Sequence, residues 1–165
     1  MHLCRTIALM LVCAAGAGNA VAQEFGWFAQ LVGSCWKAVF PDGTTTHRQC
    51  YSRQFGKFIR GTAELKNRNE GKEVMQFQGD SLFAWDSSSA SINYYIWGSD
   101  GSHRQLSAQY VNEELHFPVP SREDPTKIAV RSVWRRLSDT KFEVRRERPT
   151  AEGWNVDLRV TYERE

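Results

Sequence analysis

The sequence predicts an all-β protein: an antiparallel up-and-down β-barrel of about ten strands, preceded by a short N-terminal helix. Three observations lead there. Short runs of alternating apolar and polar residues follow one another along the chain, each bounded by turn residues. Nearly all the connections are too short for the crossover that parallel neighbours need. One early hairpin fixes its own register by aligning two cysteines. A meander of that many strands curls, and by closing it removes its exposed edges.

The register comes from the stretch LVGSCWKAVFPDGTTTHRQCY, residues 31–51. Asp42-Gly43 suits a two-residue hairpin, because both central positions tolerate positive φ. A turn centred there sets Cys35 opposite Cys50 as a hydrogen-bonded pair with Cα atoms about 5.5 Å apart, close enough for a disulfide. Alternation then places Trp36, Ala38, Phe40, His47, Gln49 and Tyr51 on the inner face, and Cys35, Lys37, Val39, Arg48 and Cys50 outside.

Further strands are predicted over residues 57–66, 72–78, 81–86, 91–98, 103–111, 113–119, 127–137, 141–148 and 153–163. Gly79-Asp80 reads as a turn between two of them. In the last hairpin a turn near Ala151 pairs Phe142 with Val160 and Val144 with Leu158 inside, and Glu143 with Arg159 and Arg145 with Asp157 outside. The one long connection, residues 118–126, holds Pro118, Pro120 and Pro125. It reads as a loop over a barrel mouth, since prolines at that density oppose strand pairing. Ahead of the first hairpin, Phe25, Phe28 and Leu31 recur at three-residue spacing beside Trp27, which predicts one or two helical turns plugging a barrel end.

The chain opens with Arg5, an apolar run over residues 7–17 and then Ala20-Val21-Ala22. That is the order of a secretory signal peptide, with cleavage expected after Ala22. Residues 23–165 then form one domain with two cysteines, Cys35 and Cys50, and with 20 basic against 19 acidic residues. This balance provides no bulk field for nucleic acid, and no segment after the signal peptide reads as a membrane span. The expected location is the periplasm or the exterior, where disulfides persist.

The stretches Phe28-Ala29-Gln30-Leu31-Val32-Gly33-Ser34-Cys35-Trp36, Phe58-Ile59-Arg60-Gly61, Trp134-Arg135-Arg136-Leu137, Phe142-Glu143-Val144, Trp154 and Tyr162-Glu163-Arg164 resemble the bacterial lipocalin-like proteins of unknown function called DUF1579, within the calycin group. The resemblance implies a lipocalin-like barrel with Trp36 packed at its closed end. Gly33-Ser34-Cys35-Trp36 is one residue longer than the usual Gly-x-Trp of that group. The Arg-x-Tyr ending of fatty-acid-binding relatives is not reproduced, because Arg159 and Tyr162 fall on opposite faces. The haem-binding nitrobindins, of similar architecture, use a histidine near the C-terminus, and none follows His116 here.

Alternation gives the interior many aromatic residues and a few polar ones, with Met75, Gln105 and Gln109 among its members. Such a lining either encloses a small-molecule cavity or fills the barrel as core. The cavity reading expects a small hydrophobic or amphipathic ligand among Trp36, Tyr51, Phe83, Trp85, Tyr94 and Trp134, its polar end met by His47 or Arg146. No cofactor is expected, His47 being the only inward candidate to ligate a haem. The dispersed histidines have no metal-site spacing, and no nucleophile motif occurs. An enzyme would have to use His47 and Tyr51 on a ligand held in the same cavity, and a filled barrel would act through surface contacts with other proteins. Arg131, Arg135, Arg136, Arg145, Arg146 and Arg148, interleaved with Glu143, Glu147 and Asp157, read as a solvated charge ladder.

Overall fold

The computed structural model describes residues 24–165; the expected signal peptide lies outside the described residues. A 3₁₀ helix, Gly26–Leu31, precedes β1 (Cys35–Val39), β2 (Thr45–Gln54), β3 (Phe58–Asn69), β4 (Lys72–Asp86), β5 (Ser91–Gly98), β6 (His103–Val111), β7 (Glu114–Pro120), β8 (Ile128–Arg136), β9 (Lys141–Thr150) and β10 (Gly153–Arg164). Each strand pairs antiparallel with the next, and β10 returns to β1 through Trp36–Arg164 and Lys37–Glu163. The closed up-and-down barrel expected from the sequence is what forms.

The first hairpin keeps the expected register, Cys35 opposite Cys50 through Val39 opposite Thr46, and the two cysteines are joined. Its loop differs. The Phe40 amide donates to Thr45 O at 2.8 Å, so Pro41 to Thr44 form a four-residue loop. Asp42 Oδ1 accepts the amides of Thr44 at 2.8 Å and Thr45 at 2.7 Å; of the two central residues only Gly43 takes positive φ, 70°. Lengthening the loop shifts the hydrogen-bond phase by one residue. Cys35 and Cys50 thereby become a non-hydrogen-bonded pair, the closer kind, with Cα atoms 4.0 Å apart. A Cys35→Ser/Cys50→Ser double variant is expected to lose about 3 kcal/mol, the chain-entropy figure for a loop of about 15 residues. Urea unfolding of the two proteins measures this, and equal midpoints would show that the ladder alone sets stability.

Three further local readings are corrected. Residues 72–78 and 81–86 belong to one 15-residue strand, β4, so there is no turn at Gly79-Asp80. Gly79 lies between Ala63 of β3 and Gly98 of β5, and the Phe77 ring covers both glycines. A Cβ would stand 2.8 Å from that ring on Gly79 and 2.5 Å on Gly98. These glycines therefore mark the close approach of an aromatic ring.

Pro118 and Pro120 are strand residues, opposite Arg131 and Ile128 of β8, and the loop is confined to residues 121–127, closed by the Ser121 amide on Lys127 O at 2.8 Å. The two-residue turn Asn112-Glu113 (φ 50° and 65°) makes Val111 and Glu114 a hydrogen-bonded pair. By alternation Pro118 turns its nitrogen toward β6. There the ladder has only three pairs, ending at Gln109–His116, and no N–H is required.

In the last hairpin Ala151-Glu152 is a two-residue turn, and pairing from it would set Phe142 and Val144 against outward residues of β10. A bulge between Val156 and Leu158 inserts Asp157 and restores the faces. Leu158 then opposes Arg146, Val160 opposes Val144 and Tyr162 opposes Phe142. The expected faces hold, with partners displaced by two residues: Arg145 faces Arg159, and Glu143 faces Thr161.

The 3₁₀ helix seals one end of the barrel. Phe28 is fully buried, its ring centroid 4.7 Å from Phe83, 5.4 Å from Tyr51 and 5.9 Å from Trp134. Trp36 Nε1 donates to Leu31 O at 3.1 Å, and Tyr110 Oη donates to Phe25 O at 2.7 Å. Gly26 (φ 53°) lies so close to the Tyr110 ring that a Cβ would meet it at 3.0 Å.

Candidate functional site: a half-open barrel interior

Burial of the inward side chains changes along the barrel axis. Beside the plug Ile59, Phe83, Ile92, Ala108, Leu115 and Phe142 are at most 1% exposed. Toward the far end, the inward Leu65, Phe77, Ile96, Leu106, Val130, Val144 and Leu158 are only half-buried. Side chains that face a barrel's interior yet touch solvent line an opening, so the lower half is packed core and the upper half is a cup. Between them lies a cavity of about 20 Å³ lined by Gln49, Tyr51, Ser81, Phe83, Tyr94, Ile96 and Trp134, about the space of one water molecule.

A chain of neutral polar groups crosses this level. His47 Nδ1 stands 2.5 Å from Tyr162 Oη and 3.4 Å from Gln49 Nε2, and Tyr51 Oη donates to Gln49 Oε1. An amide nitrogen can only donate, so Nδ1 accepts, and the imidazole proton is on Nε2. Burial lowers the His47 pKa from 6.5 to about 4. Burial also raises the phenols: Tyr94 to about 12, Tyr162 in the same direction, and Tyr51 well above its usual value with Tyr94 and Tyr162 adding to the effect. At neutral pH every member is uncharged. At the mouth, Asp157 accepts from Arg146 Nε at 2.7 Å and Arg148 Nε at 2.6 Å, and Arg104 opposes Ile96 at the same end.

The residues nominated from sequence divide by depth. Trp36, Tyr51, Phe83 and Trp134 are at most 7% exposed and belong to the packed half. Trp85 opposes Ile92 at the plugged end. Tyr94 stacks on Phe83 with centroids 4.5 Å apart and planes 14° apart. His47 sits at the floor of the cup, and Arg146 at its rim is engaged by Asp157. Sequence reasoning missed the wall residue Leu106; it placed Leu158 inside, as observed, without nominating it for the site. It also placed Gln105 and Gln109 inside, whereas Leu106, Ala108 and Tyr110 face inward, opposite Tyr94, Ile92 and Leu115. Met75 was misplaced as well: a bulge between Leu65 and Lys66 sets it opposite Lys66, 41% exposed.

The arginine cluster outside is less solvated than a ladder. Glu143 and Glu147 are 5% and 4% exposed. Arg145 of β9 binds Glu114 of β7 at 2.8 Å, and also Glu143 and Glu147; Arg131 of β8 and Arg159 of β10 cover the same two glutamates. The network ties four strands together from outside. Among the described residues, no group of three or more His, Cys, Asp or Glu is placed to hold a metal ion.

The fold defines the class: a closed, ten-stranded, antiparallel up-and-down barrel consistent with a calycin-like architecture. No protein-family model matches the chain, and no curated protein matches it.

Proposed function

We propose that this protein is exported and uses the open half of its lipocalin-like barrel to bind a small hydrophobic or amphipathic molecule. The observation that carries the reading is the exposure gradient, with half-buried apolar walls rising from an uncharged polar floor. Walls of this kind take up an apolar body by removing its surface from water, at about 25 cal/mol per Å². The floor offers His47 Nε2–H to a neutral acceptor. A charged head group is better placed at the rim, where Arg104, Arg146 and Arg148 outnumber Asp157. The Cys35–Cys50 disulfide fits an oxidising environment, which supports periplasmic or secreted localisation together with the signal-peptide pattern of residues 1–22.

Native mass spectrometry of protein recovered from an exporting host is expected to show a stoichiometric lipid-like adduct. A Leu106→Lys variant, placing a cation on the wall, is expected to lose at least about tenfold in affinity for an apolar fluorescent probe, with its unfolding midpoint little changed because the site is half-open. An empty protein that ignores the probe, or a variant that binds it equally well, contradicts the reading.

A further inference from the structure

We propose that the outer face of β2–β5 binds a neutral oligosaccharide, independently of the barrel interior. Four outward residues lie side by side across four strands: Cys50 opposite Thr62, Thr62 opposite Asp80, and Asp80 opposite Trp97. Three of them are short. The flanking rows, Arg48–Glu64–Gln78 on one side and Arg60–Leu82–Tyr95 on the other, carry longer side chains. The result is a trough of about 440 Å³, lined by Arg48, Thr62, Glu64, Gln78, Asp80 and Trp97 among others. A barrel's outer face is normally convex, and the short central row makes it concave here.

The chemistry of the trough fits a sugar better than other ligands. Trp97 is 50% exposed, and Tyr95 holds its plane, the rings 6.4 Å apart and 16° from parallel. An exposed, oriented indole offers a flat apolar surface on which the C–H face of a pyranose stacks. Beside it Asp80 is fixed by Arg60, whose Nε at 3.0 Å and Nη2 at 2.7 Å both reach Oδ1. Among the described residues, no hydrogen bond falls on Oδ2 or on the Gln78 side chain. Planar carboxylate and amide groups with spare capacity suit the paired hydroxyls of a sugar ring. Arg48 and Arg60 balance Glu64 and Asp80, so the trough has no net charge to attract a polyanion. Four strands span about 14 Å, room for two or three linked rings.

Maltotriose, cellotriose and chitotriose, titrated separately into the oxidised protein and followed by isothermal titration calorimetry, test the assignment. At least one is expected to bind saturably in the millimolar range. Trp97→Ala should weaken that binding at least about tenfold, and Asp80→Asn should weaken it less. Leu106→Lys should leave it unchanged, and Trp97→Ala should leave uptake of the apolar probe unchanged. Binding of none of the three, or binding that survives Trp97→Ala, overturns the proposal. So does self-association that disappears in Trp97→Ala, which would assign this face to contact between copies of the chain.

Discussion

Phe28→Ala is expected to destabilise the protein by about 3–5 kcal/mol, the range for truncating a fully buried aromatic ring. Phe28 has no exposed surface and meets Tyr51, Phe83 and Trp134, which come from β2, β4 and β8. Its removal would leave a void at the centre of the packed half. The surrounding rings are fixed by strand pairing and cannot collapse to fill it, which places the expected cost toward the upper end. The plug is only six residues long, too short to hold a helical conformation by itself. It keeps its place through this ring, the Trp36 and Tyr110 hydrogen bonds, and Trp27 Nε1 on Glu113 O at 3.0 Å. Denaturant unfolding monitored by near-ultraviolet circular dichroism measures the change. A loss below about 1 kcal/mol, the scale of a surface substitution, would mean that the barrel does not depend on its plug.

The second large effect is a dependence on pH centred on His47. In the unfolded chain this imidazole titrates near 6.5, and in the folded protein near 4, because burial disfavours its charged form. Between those values the unfolded chain takes up a proton that the folded protein refuses, so acid favours unfolding. The contribution is complete above about pH 6.5 and is lost as the pH falls toward about 4, by up to about 3 kcal/mol. Glu114 and Glu147 are held below the usual carboxylate range, Glu114 chiefly by its hydrogen bond to Arg145 and Glu147 by bonds to Arg131 and Arg145 that outweigh its burial. Their contributions disappear only at still lower pH. His116 is also depressed, first by burial and then by Arg131, and leaves a residual slope. His47→Gln keeps a polar partner for Tyr162 without the titration, and its unfolding midpoint should be much flatter between about pH 7.5 and 5. An undiminished slope in that variant would place the proton uptake elsewhere.

The faces of the barrel were legible in the sequence because a strand has period two and because two cysteines pinned the first register. Trp36, His47, Gln49 and Tyr51 fall inside as expected, and so do Phe142, Val144 and Leu158. What stayed hidden is where one residue more or less enters the ladder. The bulges at Asp157 and between Leu65 and Lys66 reconcile a turn's preferred length with the apolar pattern, and that compromise involves two strands at once. Gly79-Asp80 looks like a turn until Phe77 is seen lying over Gly79. The phase of β6 was ambiguous because both of its faces carry polar residues, His103, Gln105 and Gln109 on one and Arg104 on the other. The wall residue Leu106 was missed for that reason. Its floor was found because inward polar residues stand out in an apolar row.

The missing N–H groups of Pro118 and Pro120 make the barrel mechanically unequal around its circumference. Two seams are short: β1 and β10 pair only at Trp36–Arg164 and Lys37–Glu163, beside the plug, and above Gln109 and His116 the edges of β6 and β7 share no ladder. Parting them there breaks no backbone hydrogen bond and displaces only the apolar contacts behind the seam. Thermal widening of the cup is therefore cheaper along this line than between fully laddered neighbours; the seam runs from the mouth down toward Phe117 and stops where the three remaining pairs and the Asn112-Glu113 turn clamp the strands together.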